Sequence, residues 1–146
     1  RYGRPGATDE EVVQAARHAH ADHFIRALPG GYSMVINEEA DNISAGQKQL
    51  LTIARAVLAD KPLLILDEAT SAVDTETELL IQQALERLIK GRTTIIIAQR
   101  IASVMDADHI IVLDEGRIAA QGSHQQLLDE GGIYAEVFHS QSKGVS

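Results

Sequence analysis

The segment KPLLILDEATS, residues 61–71, constrains the fold of this chain more than any other. Its apolar run, Leu63–Leu66, predicts a short strand that is buried on both faces, as strands of parallel sheets in α/β proteins are. Asp67 and Glu68 follow directly, and open α/β sheets place their chemistry at the carboxyl ends of strands. Because neighbouring side chains of an extended chain point to opposite sides, one carboxylate can hold a hydrated Mg²⁺ while the other takes a second role. The alternative is a strand that ends in a solvated acidic turn.

Composition excludes several classes of function. The 146 residues carry a formal net charge of −8, so the charge balance does not favour binding to nucleic acid. The sequence contains no cysteine, which excludes disulfides and thiolate metal sites within it. No apolar run reaches the roughly 18 residues of a transmembrane helix, so we expect no membrane span in these residues. An acidic chain that binds phosphate needs local positive fields, such as helix N-termini.

Capping patterns predict where the longer helices begin. Thr8 opens a helix that we expect to continue to about Leu28. Ser44 opens a second helix, and its pattern has two interpretations that share one geometry: a capping box, and a phosphate site built from free N–H groups. Asp74 is the predicted N-cap of a third helix over residues 75–89.

The rest of the chain alternates predicted strands with short helices. Thr93–Ala98 predicts a second strand buried on both faces, and residues 109–113 and 117–120 predict a hairpin with Gly116 in its turn. Short helices are expected at Ile101–Asp106, from a capping box at Ser123 to Leu128, and around Ile133–Phe138, before a tail that is frayed from Ser140.

Several motifs follow one another in a fixed order: Asn42–Leu58, the strand with its two carboxylates, the loop Ser71–Asp74, and Ile95–Arg100. In this order and spacing they resemble the signature motif, Walker B strand, D-loop and switch region of the nucleotide-binding domain of an ABC exporter. The resemblance implies an α/β fold of the P-loop NTPase type, with a mostly parallel sheet, flanking helices and a helical subdomain. It places the helical subdomain and signature helix at about residues 7–60 and the remainder of the domain at about residues 61–146.

The same resemblance implies ATP and Mg²⁺ as ligands and gives three residues a role in hydrolysis. Asp67 would hold Mg²⁺ through water, and Glu68 would act as general base on the attacking water. At the tip of the switch strand the family has a histidine that hydrogen-bonds the γ-phosphate, whereas this chain has Gln99. Glutamine donates a hydrogen bond but neither carries a charge nor moves a proton, so we expect slow turnover.

Other residues are implied at a dimer interface, where they would contact an ATP held by a second subunit or that subunit itself. These are Ser44, Ala45, Gly46 and Gln47 of the signature motif and Ser71 and Asp74 of the D-loop. The family has glycine where this chain has Ala45, which resembles variant signatures found in one half of heterodimeric exporters. A heterodimer is therefore favoured over a homodimer.

No Gly-x-x-x-x-Gly-Lys-Ser/Thr phosphate loop occurs in the sequence. The family places that loop before Arg1, so we expect the chain to be the C-terminal part of a nucleotide-binding domain and inactive by itself. In this class of fold the strand before the loop lies between the strands ending at Ala98 and Leu113. Its absence would leave a gap in the sheet and make the isolated chain poorly stable.

The function implied is ATP-driven export of a solute. The domain would lie at the cytoplasmic face of the cell membrane, paired with a second nucleotide-binding domain and with transmembrane domains. A nucleotide-binding regulatory half-site with little hydrolysis is an alternative, because of Ala45 and Gln99. A soluble ABC ATPase of DNA repair or translation is another, which the acidic balance of the chain disfavours.

Overall fold

The computed structural model describes residues 3–34, 43–67 and 73–143 of the chain. The chain divides into two compact units, residues 1–95 and residues 96–146. None of the helices within the described ranges is both long enough and apolar enough to cross a lipid bilayer.

Helices make up most of the described part of the first unit. They are α1 (Asp9–His18), α2 (Asp22–Ala27), α3 (Ala45–Ala59) and α4 (Thr75–Ile89), with a 3-10 turn at Gly31–Ser33. The predicted caps are confirmed. Thr8 and Ser44 each form a capping box with the residue three positions later, and Asp74 accepts a hydrogen bond from the Thr77 N–H. Each pattern is local, which is why the sequence alone identifies it.

The single helix predicted from Thr8 to about Leu28 is wrong. α1 ends at His18, and His20 takes a left-handed conformation with φ 55° before α2 begins. Ala19 and Ala21 are both fully buried. A straight helix cannot bury both, because residues two positions apart point to nearly opposite sides of its axis. The break turns both alanines into the core.

The carboxylate of Asp22 fixes the turn that follows. It accepts hydrogen bonds from Arg26 Nε at 2.9 Å and from Tyr32 OH at 2.5 Å. Burial and the bond to Asp22 raise the pKa of Tyr32 to about 12. Tyr32 therefore keeps its proton at neutral pH and remains a donor to Asp22, which ties the 3-10 turn to α2.

The core of the first unit is built around α3, which packs against both α1 and α4. Leu50 and Ile53 of α3 meet Ile81, Ala84 and Leu88 of α4 in one buried cluster. Leu50 is only 2 % exposed and Leu88 only 1 %. Each large aliphatic side chain buried in this way contributes about 1.5–3 kcal/mol to folding, so this contact fixes the position of α3 relative to α4.

Two strands, β1 (Leu63–Asp67) and β2 (Thr93–Ile97), pair in one sheet. The Thr93 N–H donates to the Pro62 carbonyl at 3.0 Å, so both strands begin at the same edge and run parallel. Their bounds agree with the predicted strands to within a residue.

The expected burial of both strand faces is wrong. Leu64 and Leu66 pack against the helical core, whereas Ile65 is 60 % exposed and Ile95 is 51 % exposed. An apolar run shows that both faces favour burial, but it does not show what covers them. Within the described ranges, the helices of the first unit cover one face of this sheet.

Arg92, just before β2, connects the C-terminal ends of α3 and α4 with the residue pair that leads into β1. Its guanidinium donates to the Asp60 carboxylate at 2.6 Å, to the Lys61 carbonyl at 3.1 Å and to the Leu88 carbonyl at 2.5 Å. Asp60 is the C-cap of α3 and has a left-handed conformation, and Leu88 lies in the last turn of α4. The Arg92 side chain is only 16 % exposed, so these bonds are partly shielded from water.

The second unit contains a hairpin and two helices. β3 (Ile110–Asp114) and β4 (Arg117–Gly122) are antiparallel, and Gly116 lies in the turn with φ 74°, as predicted. α5 (His124–Glu130) and α6 (Ile133–Lys143) follow. Ile101, Ile110, Leu127 and Tyr134 form the core of this unit.

Two expectations for the second unit are wrong. The predicted helix Ile101–Asp106 is a 3-10 turn over Ile101–Ser103. The tail expected to fray from Ser140 continues as part of α6 to Lys143. It is held by Gln141, which hydrogen-bonds to residues far away in sequence.

Replacement of Arg92 by alanine should lower the free energy of unfolding by about 2 kcal/mol, because two helix-end acceptors and a carbonyl lose a partly buried charged donor. Arg87→Ala, at an exposed position of α4, is the matched control and should change stability by less than about 0.5 kcal/mol. Urea unfolding of the three proteins measures both values. Equal effects of the two substitutions would contradict the role given to Arg92.

Candidate functional site

The N-terminus of α3 carries four of the predicted site residues. Ser44 Oγ accepts from the Gln47 N–H at 3.2 Å, and Gln47 Oε1 accepts from the Ser44 N–H at 3.1 Å. Ser44 and Ala45 are exposed, whereas Gly46 is buried. Helix geometry leaves the N–H groups of Ala45 and Gly46 without partners inside α3. The group of Gln47 that remains for a ligand is its Nε2 amide, because Oε1 is used in the cap.

The N-terminus of α4 lies against the same turn of α3. A β-carbon added to Gly46 would lie 2.5 Å from Thr77 Cγ2 and 2.9 Å from Val73 Cγ1. Thr77 also donates its N–H to Asp74 Oδ2 at 3.0 Å. The structure therefore brings Gly46 of the predicted signature motif next to the predicted D-loop and the first turn of α4.

α3 and α4 run in the same direction. Their first turns meet at Gly46 and Thr77, and Arg92 bonds to both of their C-terminal ends, at Asp60 and Leu88. The partial positive charges of two helix N-termini therefore lie side by side. In a chain with a net charge of −8, this arrangement supplies the local positive field that an anionic ligand needs.

Asp67 is the last residue of β1 and is exposed. Glu68 and Ser71 lie outside the described residues. Across the described ranges, no three His, Cys, Asp or Glu side chains converge into a cluster that could hold a metal ion. A single exposed carboxylate fits Mg²⁺, which keeps several waters and takes its other ligands from substrate phosphates.

Gln99 lies in the second unit, two residues after β2, and its side chain is exposed. Gln141 holds the backbone on both sides of Arg100. Its Nε2 donates to the Gln99 carbonyl at 3.0 Å, and its Oε1 accepts from the Ile101 N–H at 2.9 Å. Sequence analysis missed Gln141, since its partners are about forty positions away and no local pattern marks such a contact.

Comparison with known proteins identifies a family. The ABC transporter family model matches residues 5–71. Over 126 residues, 86 % of this chain, the sequence is 55 % identical to a fatty acid ABC transporter ATP-binding/permease protein of Mycobacterium bovis. Over 126 residues it is also 56 % identical to an ATP-dependent lipid A-core flippase of Chromobacterium violaceum. The chain spans 20 % of the length of the first relative and 22 % of the second.

A solved structure agrees with these relatives. The structure of a bacterial Atm1-family ABC exporter with ATP bound matches 96 % of this chain with a TM-score of 0.84 and 45 % sequence identity, and the chain covers 24 % of that protein. The mixed α/β fold with parallel strands is that of a nucleotide-binding domain, as predicted. The chain belongs to the ABC transporter family, and its fold matches the nucleotide-binding domain of an ABC exporter.

The cap formed by Asp74 should make stability depend on acid pH. Hydrogen bonds from the Thr77 N–H and hydroxyl lower the pKa of Asp74 from its ordinary value of 3.8. The contribution of such a carboxylate is present above its unfolded pKa and is lost as pH falls through its folded pKa. Below pH 3.8 the unaltered chain should lose more stability than Asp74→Asn, because asparagine caps a helix but does not titrate.

Urea unfolding at several pH values tests this expectation. Asp108→Asn is the matched control, since this exposed carboxylate caps none of the described helices, and it should keep the pH dependence of the unaltered chain. The assignment is wrong if Asp74→Asn loses stability as steeply as the control.

Proposed function

We propose that this chain is part of the ATP-binding and hydrolysing subunit of an ABC exporter, which couples ATP-driven dimerisation and hydrolysis to export of a solute. The observation that carries the proposal is the capped N-terminus of α3. It offers the Ser44 hydroxyl and two backbone N–H groups at the positive end of a helix, in a domain with the fold of an ABC exporter. About residues 7–60 would form the helical subdomain with the signature helix, and about residues 61–146 the remainder.

The N-terminus of α3 would bind the γ-phosphate of an ATP held by a second nucleotide-binding domain. Ser44 would donate its hydroxyl, Ala45 and Gly46 their N–H groups, and Gln47 its side-chain amide. These are neutral donors on a fixed helix end, so they bind an anion with little rearrangement. Ser71 and Asp74 would contact the second domain across the interface.

Asp67 and Glu68, two carboxylates in succession, would have different roles in ATP hydrolysis. Asp67 would hold Mg²⁺ through water, and the ion would neutralise charge on the phosphate oxygens. Glu68 would accept a proton from the attacking water. Gln99 would donate its amide to the γ-phosphate but could not take up a proton, and its backbone would be kept in place by Gln141.

The partners follow from the family. We propose a second nucleotide-binding domain, with a heterodimer favoured by Ala45, and transmembrane domains of the same transporter. The domain would then work at the cytoplasmic face of the membrane. Relatives named as a fatty acid transporter and a lipid A-core flippase support export over a role in DNA repair or translation.

A regulatory half-site with little hydrolysis is the second candidate. Two observations favour it: an exposed Ala45 methyl at the signature motif, and an exposed glutamine at position 99. Both would weaken turnover and leave binding of ATP in place, whereas the presence of Glu68 favours hydrolysis.

Substitution of Glu68 separates the two candidates. In the complete transporter, Glu68→Gln should reduce ATP hydrolysis by about 10²–10⁴-fold and leave ATP binding unchanged, because the amide cannot act as a general base. Glu86→Gln, the same chemical change at an exposed position of α4, is the control and should hydrolyse ATP at the unaltered rate. Turnover and equilibrium ATP binding are the measurements. Unchanged turnover in Glu68→Gln would favour the regulatory half-site.

A further inference from the structure

Gly46 occupies a position where alanine would normally be preferred. It is the second residue of α3, and its φ is not in the left-handed region that favours glycine. Alanine is more favourable than glycine in regular helix, by about 1 kcal/mol in the interior. A glycine at this position therefore needs a reason other than backbone conformation.

The surroundings of Gly46 supply that reason. A β-carbon at Gly46 would lie too close to two side chains of the same chain. It would be 2.5 Å from Thr77 Cγ2 and 2.9 Å from Val73 Cγ1. Carbon atoms normally approach to about 3.5–4.0 Å, so a methyl group at Gly46 would force α3 and α4 apart. The missing side chain points toward α4 of the same chain, whereas Ser44 and Ala45 beside it are exposed.

The backbone of Thr77 is itself held in place. The Asp74 carboxylate accepts a hydrogen bond from the Thr77 N–H at 3.0 Å, which caps α4. Threonine is β-branched and has few allowed χ1 rotamers in a helix, so the position of its backbone limits where its Cγ2 lies. The contact thus connects Asp74, through Thr77, to Gly46.

We propose that Thr77 and Val73 are positioning residues, which set the location of the N-terminus of α3 through their contact with Gly46. If α3 presents this end to ATP, as the proposed function requires, residues 73–77 and the signature motif of one subunit move together as a single packed element. Gly46 is then required for packing within the subunit and not for access of the phosphate. Ala45 carries a methyl group without this penalty because its side chain is exposed.

The proposal predicts a specific rescue. In the complete transporter, Gly46→Ala should lower kcat for ATP hydrolysis by at least about tenfold, the effect of moderate overpacking at a site that positions substrate. Adding Thr77→Ser and Val73→Ala removes both methyl groups that clash and keeps the backbone N–H of residue 77 that donates to Asp74. This triple variant should recover to within about threefold of the unaltered rate.

Gly132→Ala is the matched control. Nothing lies within 4 Å of a β-carbon at Gly132, so its ATPase activity and thermal unfolding midpoint should equal those of the unaltered transporter. Gly46→Ala should lower the unfolding midpoint, and the triple variant should raise it again. This second measurement does not depend on ATPase activity.

Rescue of both quantities supports the packing role of Thr77 and Val73. If access of the phosphate were the reason for Gly46, or if its substitution were harmful for some other reason, the triple variant would be as impaired as Gly46→Ala, and the proposal would be overturned. An unaltered transporter without ATPase activity would refute the proposed function instead. The unfolding midpoints would then still decide whether the contact exists.

Discussion

The contact between α3 and α4 is the interaction on which the rest of the first unit depends. Leu50 and Ile53 of α3 meet Leu88 and its neighbours on α4, and the helices are parallel because they are held at both ends. Gly46 lies against the first turn of α4, and Arg92 joins the C-terminal ends. Two capped, partially positive helix ends are thereby placed side by side in an acidic chain.

Features that depend on neighbours in sequence could be predicted. The capping boxes at Thr8, Ser44 and Ser123 and the cap at Asp74 all relate residues three positions apart, and each marks the start of a helix where expected. The hairpin turn at Gly116 is equally local. The ends of α4 and β1 follow from such signals because hydrophobic period and caps agree with one another, whereas the class of fold was implied by the resemblance to ABC exporters.

Features that depend on tertiary contacts could not be predicted from the sequence. The prediction that β1 and β2 are buried on both faces was wrong at Ile65 and Ile95, which are exposed. Apolar composition does not identify which element of the fold covers each face of a strand. The prediction of a single long helix from Thr8 was wrong because Ala19 and Ala21 are both buried in the core, and only a break in the helix permits this. No pattern marks Gln141 as the support of the residues around Gln99, since the contact depends on how α6 packs within the second unit.

The central claim is that the exposed N-terminus of α3 meets the phosphates of ATP when two nucleotide-binding domains close. Protection of a thiol at Ser44 tests it directly, since this chain has no cysteine of its own. In the complete transporter without other cysteines, ATP should slow modification of Ser44→Cys by a thiol reagent severalfold. Ser140→Cys, at an exposed position of α6, should react equally with and without ATP. If ATP is bound yet leaves the reaction of Ser44→Cys unchanged, this end of α3 does not contact nucleotide, and the central claim is wrong.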